Sequence, residues 1–247
     1  MDAMEHAASY GPRIAFFGGS FDPPHRGHLA IARAARAALR LDTVLFAPVG
    51  TQPLKPLGAT AGFEHRVAMT RLAIADEPGF AVSLADAPEP AGKPNYTIDT
   101  LHAVRAQSPP GAQLFCLMGA DSFLGLRRWH RGAEIPFVAP LIVASRPGES
   151  LADLAAVLPA GLSIAPGPVE PTPAEVDASA GVELRCYTLR AANGRSTPFY
   201  LLPGMEIDIS ASHIRLQAQA AGDRFTSGHE LLPNAVAEYI AAHRLYR

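Results

Sequence analysis

The stretch GGSFDPPHRGH at residues 18–28 follows a short apolar run at 13–17 and leads into residues 27–40, whose apolar side chains recur at helical spacing. Glycines at a strand end let backbone N–H groups approach a phosphate closely. A helix that begins there adds positive potential for an anion at its N-terminus. Because α/β sheets bind ligands outside the carboxyl ends of their strands, this turn predicts a phosphate-binding site.

The rest of the chain repeats this alternation of strands and helices. Further buried strands are expected at 43–49, 80–84, 113–118, 139–144 and 199–202. Further helices are expected at 65–76, 97–107, 151–158, 210–220 and 233–243. Repeated βα units predict an α/β fold with a Rossmann-like parallel sheet, helices on both faces and a small C-terminal helical subdomain.

The segment at 147–197 interrupts this pattern, because it is rich in proline and alanine and shows only weak helical spacing near 151–158. We expect most of this segment to be irregular and mobile. No stretch has the composition of a linker between domains. We therefore expect residues 1–12 to form a flexible N-terminal extension and residues 13–247 to form one domain.

The bulk composition narrows the class of protein. A chain of 247 residues, 48% hydrophobic, can bury the core of one large α/β domain. Its formal net charge of −2 argues against a broad surface for nucleic acid, which must be basic. We expect no membrane span and no signal peptide. The two cysteines, Cys116 and Cys186, lie in apolar runs and are expected to be buried thiols of a cytoplasmic protein.

His25 and His28 stand close together at the start of the predicted helix, so they can face one site. Taken alone, they could equally be a pair on the surface. A shared metal ion is another alternative, but no cysteine or carboxylate at a familiar ligand spacing completes it, so we expect no metal site on the protein. The chain also lacks the P-loop lysine and the G-x-G-x-x-G dinucleotide pattern.

The histidine pair belongs to a longer motif. The pattern G-x-F-x-P-x-H-x-G-H is complete here in Gly19, Phe21, Pro23, His25, Gly27 and His28. A second motif, ISASHIR, stands at 209–215 near the C-terminus. Together the two motifs resemble those of the nucleotidyltransferase superfamily with HxGH motifs.

Other segments narrow the resemblance to the bacterial nicotinate-nucleotide adenylyltransferases, over nearly the whole chain from residue 13 to 247. They are QPLK at 52–55, YTIDTL at 96–101, GADS at 119–122, WH at 129–130, SRPG at 145–148 and LP at 232–233. The resemblance is weakest over 149–197. It implies transfer of the adenylyl group of ATP to nicotinate mononucleotide, which gives nicotinate adenine dinucleotide and pyrophosphate in NAD biosynthesis. Mg²⁺ is implied as the companion of ATP.

The resemblance also implies roles for individual residues. Catalysis would depend on His25, His28 and Arg215. The same three residues would bind ATP together with Gly18, Gly19, Ser20, Phe21, Gly119, Asp121, Arg146, Ile209 and Ser210. The mononucleotide would be bound by Lys55, Thr97, Trp129 and His130. Trp129 would stack on the pyridine ring, although a tryptophan in this position could equally be a core residue.

The chemistry agrees with this set of residues, because the attacking phosphate oxygen of a mononucleotide is already anionic and needs no general base. Catalysis then depends on alignment and on charge stabilisation. Thr97 is predicted to cap a helix whose free N–H groups would favour the nicotinate form of the mononucleotide over its amide.

Other functions and the oligomeric state stay open at this point. The alternatives are a pantetheine-phosphate adenylyltransferase or a cytidylyltransferase, a nucleotide-binding regulator without turnover, and a metal hydrolase. The chain could be a monomer or a homodimer.

Overall fold

The structure of the chain, a computed structural model, describes residues 11–54, 58–90, 92–145, 151–166, 181–205, 209–222, 225 and 230–247. Within these residues an eight-stranded sheet forms from β1 (Arg13–Gly19), β2 (Thr43–Pro48), β3 (Phe80–Val82), β4 (Gln113–Gly119), β5 (Leu141–Ala144), β6 (Leu162–Pro166), β7 (Arg185–Ala191) and β8 (Ser196–Leu202). The helices are α1 (Arg26–Ala38), α2 (Phe63–Ala73), α3 (Thr97–Gln107), α4 (Ala120–Gly125), α5 (Ile135–Val138), α6 (Leu151–Ala156), α7 (Ala211–Ala221) and α8 (Asn234–Ala242).

The strands follow the order β3-β2-β1-β4-β5-β8-β7-β6 across the sheet. From β3 to β8 every neighbouring pair is parallel, whereas β7 on β8 and β6 on β7 are antiparallel. The predicted α/β fold with a Rossmann-like, mostly parallel sheet is therefore confirmed. The helix expected near 151–158 is present as α6, whereas the expectation of an irregular segment after it is wrong for the described parts, which supply β6, β7 and the start of β8.

A tight turn accounts for the antiparallel strands. Asn193 and Gly194 lie between β7 and β8, where the N–H of Ala191 donates to the carbonyl oxygen of Arg195 at 2.9 Å. Gly194 has φ +83°, a conformation that glycine adopts without steric cost. The closing pair of Ala191 and Arg195 leaves a three-residue loop, which reverses the chain and extends the sheet beyond its parallel part.

Two clusters of buried side chains cover the two faces of the sheet. On one face, Phe17 and Phe46 pack with residues of α1, α2, α7 and α8. On the other face, Phe16 and Cys116 pack with residues of α3, α4 and α5. Consecutive residues of β1 thus point to opposite faces, as the two-residue period of a strand requires. The prediction of helices on both faces is confirmed.

The C-terminal helices α7 and α8 are present near their predicted positions. Ile214 of α7 and Val236 and Ile240 of α8 are buried in the same cluster as α1. The two helices therefore extend one face of the main core. No helix in the described ranges is long and apolar enough to cross a bilayer.

The two cysteines, both in the described part of the chain, form no disulfide. Cys116 in β4 is buried, as predicted, and burial raises the pKa of its thiol to about 12. Cys186 in β7 is only partly buried. The raised pKa keeps Cys116 protonated, so it packs as a small apolar side chain.

The strand order creates a crevice beside β1. The connection through α1 leads to β2 on one side of β1, and the connection through α3 leads from β3 to β4 on its other side. Open α/β sheets bind ligands at such a reversal of strand order, outside the carboxyl ends of the strands. The GGSFDPPHRGH stretch at 18–28 lies at this point, between β1 and α1.

Candidate active site

A cleft of about 790 Å³ opens at this end of the sheet. Its walls come from the ends of β1, β4 and β5 and from the starts of α1, α3, α4 and α7. The predicted site residues that line it are Gly18, Gly19, Ser20, Phe21, His25, His28, Thr97, Gly119, Asp121, Trp129, His130, Ile209, Ser210 and Arg215. The two other predicted residues, Lys55 and Arg146, lie outside the described residues.

His25 and His28 stack on each other with ring centroids 3.7 Å apart. His25 is the N-cap of α1, and its backbone N–H donates to Nδ1 of His28 at 3.1 Å. Because an accepting nitrogen carries no proton, neutral His28 holds its proton on Nε2. Burial lowers the pKa of His25 to about 4; burial and then the charge of His25 lower that of His28 well below its usual value. Both rings are therefore neutral at neutral pH.

Phe21 supports the histidine pair from the core. Its ring is 1% exposed and lies 5.0 Å from the ring of His28 and 5.6 Å from that of Phe17. Its backbone has φ +46°, in the left-handed region that bulky residues rarely adopt. A Cβ atom at Gly19 would lie 3.2 Å from the Phe21 ring, so a glycine there lets the loop close over it. Only the backbone of Phe21 is left to meet a ligand.

The second motif supplies Arg215 from α7. Ser210 caps this helix, since its Oγ accepts from the N–H of His213 at 3.1 Å. Arg215 donates through Nη1 to the backbone oxygen of Asp22 at 2.7 Å and through Nη2 to Ser212 Oγ at 3.0 Å. A direct hydrogen bond thus joins the two motifs, whose residues are 193 positions apart in sequence.

Two helix N-termini meet at this cluster. The first turns of α1 and α7 carry no acidic residue, so no carboxylate within either turn offsets the positive end of its helix dipole. The guanidinium of Arg215 adds a full charge, and the neutral rings of His25 and His28 add N–H donors. This part of the cleft, which we term the phosphate site, can hold a polyanion.

A group of aromatic rings lies where α3 begins. The rings of Tyr96 and His130 have centroids 4.3 Å apart. Trp129 is partly buried; it lines the cleft and also packs on the core cluster that includes α3. The ligand role and the core role that the sequence left open for Trp129 are therefore compatible. The three rings form a wall for a flat, partly apolar group.

The N-cap of α3 lies one residue before the predicted one. Tyr96, with an extended backbone, is the N-cap, and Thr97 is the first helical residue. The prediction that Thr97 caps the helix is wrong, because the backbone turns into the helix one position earlier. Tyr96 makes no side-chain capping hydrogen bond. Asp99 and Thr100 donate their N–H groups to the Tyr96 oxygen, which leaves those of Thr97 and Ile98 for a ligand in the cleft.

Asp86 is a cleft residue that the sequence analysis missed. It is 4% exposed, and its Oδ1 lies 2.6 Å from Oγ1 of Thr100 in α3. Burial raises the pKa of Asp86 to about 6, against the opposing effect of the Thr100 hydrogen bond. No motif marks Asp86, because its burial arises from tertiary packing alone.

The ends of β4 and β5 form the third part of the cleft. Gly119 is the N-cap of α4, and Asp121 is exposed in the first turn of that helix. Ala144 of β5 pairs with Gly119, which brings the following Ser145 into the same wall. An exposed carboxylate next to open backbone can accept hydrogen bonds from hydroxyl groups.

Known proteins share both the sequence and the cleft-forming fold. The family described as cytidylyltransferase-like matches residues 16–217. A probable nicotinate-nucleotide adenylyltransferase of Geobacter sp. (strain M21) is 39% identical over 234 residues, covering 95% of this chain and 98% of the relative. The one of Laribacter hongkongensis is 40% identical over 240 residues, covering 96% of each. The chain belongs to the nicotinate-nucleotide adenylyltransferases of the cytidylyltransferase-like family.

A solved structure independently supports the fold of this member of the nicotinate-nucleotide adenylyltransferase family. The nicotinic acid mononucleotide adenylyltransferase of Plasmodium falciparum, complexed with NaAD, superposes with a TM-score of 0.62. The match covers 95% of this chain and 97% of the other at 16% sequence identity. At that identity the likeness extends to the fold.

Proposed function

We propose that this chain transfers the adenylyl group of ATP to nicotinate mononucleotide, forming nicotinate adenine dinucleotide and pyrophosphate. The observation that carries the proposal is the meeting of His25, His28, Arg215 and two helix N-termini in one part of the cleft. Such a set binds a triphosphate without supplying an acid or a base. The relatives named nicotinate-nucleotide adenylyltransferase support the choice of acceptor.

The reaction requires no proton transfer from the nucleophile. A phosphate oxygen of the mononucleotide attacks the α-phosphorus of ATP and forms a new P–O bond. The bond from that phosphorus to the oxygen bridging the β-phosphate breaks, and its electron pair leaves with pyrophosphate. Because the attacking oxygen is already anionic, catalysis depends on aligning two phosphates and on stabilising the charge that develops.

The phosphate site matches these requirements. His28 donates from Nε2, and His25 donates from its stacked ring, so each supplies an N–H to an oxygen of the triphosphate. Arg215 adds a permanent positive charge. Stacking and the hydrogen bond between the two histidines hold these donors before ATP arrives, which keeps reorganisation during the reaction small.

The third part of the cleft suits the adenosine of ATP. Asp121 accepts hydrogen bonds from the ribose hydroxyls, and the backbone around Gly119 lies beside the nucleoside. Arg146 follows Ser145 in sequence and adds positive charge to the ATP site. These assignments rest on the family motifs GADS at 119–122 and SRPG at 145–148.

The aromatic wall suits the pyridine ring of the mononucleotide. Trp129, with Tyr96 and His130, offers ring faces for stacking. The N–H groups at the start of α3, beginning with Thr97, receive the carboxylate of the nicotinate ring. An amide would turn its NH₂ toward donors or lose one hydrogen bond, at a cost of about 1–3 kcal/mol. We therefore propose that the nicotinate form is preferred, with Lys55 on its phosphate.

Magnesium enters this proposal as Mg-ATP. Mg²⁺ keeps several waters and uses phosphate oxygens readily, so a set of protein carboxylates is not required. Asp22 stands in the loop at 20–25 between β1 and α1, which we term the phosphate loop. The N–H groups of Thr60 and Ala61 and the hydroxyl of Tyr246 already donate to its carboxylate. We therefore name no protein ligand for the ion.

Release of pyrophosphate from Mg-ATP with a panel of acceptors tests the proposal. The acceptors are nicotinate mononucleotide, nicotinamide mononucleotide and phosphopantetheine, and CTP replaces ATP in a parallel series. We expect release with ATP and nicotinate mononucleotide, and weaker release with the amide. A preference for phosphopantetheine or CTP would show that the chain is another transferase. Release of phosphate without any acceptor would indicate a hydrolase, and no release at all would indicate a protein that only binds nucleotides.

A further inference from the structure

The penultimate residue of the chain reaches the phosphate loop. The hydroxyl of Tyr246 donates to Oδ1 of Asp22 at 2.8 Å, across 224 positions of sequence. Both residues are buried, at 9% and 3% exposure. Asp22 lies within the motif that also contains His25 and His28, so the end of the chain contacts the machinery of the proposed reaction.

Asp22 collects hydrogen bonds from several directions. The N–H of Thr60 donates to Oδ2 at 2.6 Å, and the N–H of Ala61 donates to Oδ1 at 3.0 Å. Arg66, 2% exposed, reaches the same region, with Nε on the oxygen of Ala61 at 3.1 Å and Nη1 on the oxygen of Ser20 at 2.8 Å. A buried carboxylate of this kind is stable only while its donors are kept.

Arg215 shares Asp22 with Tyr246. Its Nη1 bonds the backbone oxygen of Asp22 at 2.7 Å but stays 3.8 Å from the carboxylate oxygen Oδ2. The guanidinium is therefore beside the carboxylate without a close ion pair, and it lines the cleft. Asp22, Arg66 and Arg215 together carry one net positive charge, which is left for an anion in the cleft.

The backbone is shaped to bring Tyr246 to this position. After α8, Arg244 has φ +51° and Tyr246 has φ +65°, both in the left-handed region. Each such conformation costs a bulky residue free energy that other contacts must offset. The hydrogen bond from Tyr246 to Asp22 is one of the contacts that offset this cost. Burial and the charge of Asp22 raise the pKa of Tyr246, so its hydroxyl stays protonated and remains a donor.

We propose that Tyr246 is a positioning residue of the phosphate site, which acts through Asp22 to keep Arg215 directed at the triphosphate. The proposal rests on the proposed function, since it takes ATP as the ligand of Arg215. Without the Tyr246 hydroxyl, Asp22 loses one donor and attracts the guanidinium more strongly. Arg215 then closes the gap of 3.8 Å to the carboxylate and is withdrawn from the cleft.

The variant Tyr246→Phe tests this proposal against the matched control Tyr239→Phe. Tyr239 of α8 also loses a partly buried partner in its variant, because its hydroxyl lies 3.0 Å from Nδ1 of His65 in α2, but it does not line the cleft. We expect Tyr246→Phe to lower kcat/KM for Mg-ATP about tenfold with KM for nicotinate mononucleotide kept within about twofold, as for loss of one charge-linked hydrogen bond. The control keeps both constants.

A double variant separates positioning from a general structural role. If Tyr246 acts through Arg215, then Tyr246→Phe causes no further loss in an Arg215→Ala background, whereas independent effects would multiply. The proposal would be overturned if Tyr246→Phe had unchanged kinetics, lost equally for both substrates or failed to fold. It would also be overturned if the losses of the two single variants multiplied in the double variant.

Binding measurements keep this test separate from the proposed function. If the wild type releases no pyrophosphate with ATP and nicotinate mononucleotide, the proposed function fails. Titration of Mg-ATP into the wild type, Tyr246→Phe and Tyr239→Phe then still decides the role of Tyr246. We expect weaker binding only in Tyr246→Phe, and equal binding by all three proteins would contradict it.

Discussion

The Nδ1 atom of His28 accepts a hydrogen bond from the backbone N–H of His25, and the two imidazole rings stack at 3.7 Å. This contact fixes the tautomer of His28, because the proton of the neutral ring must then reside on Nε2. The same contact caps α1 and so ties the start of the helix to the orientation of the ring. His28 is therefore an oriented neutral donor in the phosphate site.

His28→Ala should lower turnover far more than it weakens nucleotide binding. A donor that meets charge developing in the transition state contributes roughly 3 kcal/mol, so kcat should fall on the order of 100-fold. Steady-state kinetics and a Mg-ATP titration measure the two effects separately. His213→Ala, at an exposed position of α7, is the control and should keep its turnover. Near-normal kcat in a folded His28→Ala protein would remove this role.

Trp129→Ala should raise KM for the mononucleotide and leave KM for Mg-ATP almost unchanged. Stacking on an aromatic ring contributes about 0.5–1.5 kcal/mol beyond area burial, which corresponds to a rise of about 2- to 10-fold. Trp129→Phe keeps a ring face and should recover most of the loss. A lower melting temperature with unaltered substrate constants would instead make Trp129 a core residue only.

Arg215→Ala and Lys55→Ala should affect different substrates. Arg215 belongs to the phosphate site for ATP, whereas the family motif assigns Lys55 to the phosphate of the mononucleotide. Charge-assisted hydrogen bonds contribute about 1.5–3 kcal/mol, so each variant should lose roughly 10- to 150-fold in kcat/KM for its own substrate. Titrating each substrate at saturating levels of the other measures this. The same profile in both variants would contradict the division.

Asp86→Asn should stabilise the protein above about pH 6. The folded-state pKa of Asp86 is raised to about 6 from 3.8 by burial, so the folded state binds more protons between these values. The contribution of Asp86 to the free energy of unfolding is fully present below the pKa of the unfolded state. It is lost as pH rises through the pKa of the folded state, and the total loss is roughly 3 kcal/mol. Asparagine does not ionise, and its carbonyl can still accept from Thr100.

Melting temperatures of both proteins between about pH 4.5 and 7.5 check this prediction. The difference between Asp86→Asn and wild type should grow in favour of the variant as pH rises to about 7. The pKa of His25 is lowered, so its contribution to the free energy of unfolding is lost as pH falls, opposite to that of Asp86. Because His25 is present in both proteins, its effect cancels in the difference. Parallel curves would show that Asp86 does not ionise in this range.

The sequence predicts the parts of the fold that depend on local periodicity. The helix at Thr97–Gln107 lies as predicted, and the strand beginning at Arg13 extends only slightly past its predicted end. The first motif forms its loop at the strand end as expected, because glycines, a helix start and histidines at short spacing carry their geometry in the local sequence. That the second motif meets it, 193 positions away, was implied by the family resemblance. Asn193-Gly194 between two apolar runs was a signal for the β7–β8 hairpin, which the proline-rich surroundings obscured.

Features that depend on contacts far apart in sequence could not be predicted. Tyr246 and Asp22 are 224 positions apart, and the sequence around neither residue shows that the Tyr246 hydroxyl will donate to the Asp22 carboxylate. Asp86 has a raised pKa only because the sheet and α3 together exclude water from it. The cap of α3 at Tyr96 was missed by one residue, since threonine is the better capping side chain and local preference indicated it.

Transfer of the α-phosphate of ATP to nicotinate mononucleotide is tested most directly with ATP labelled at that phosphate. Purified protein is incubated with labelled Mg-ATP and nicotinate mononucleotide, and the products are separated. We predict that the label appears in nicotinate adenine dinucleotide while unlabelled pyrophosphate is released in equal amount. Label that stays in ATP, or that appears as free AMP or ADP, would contradict adenylyl transfer by this chain.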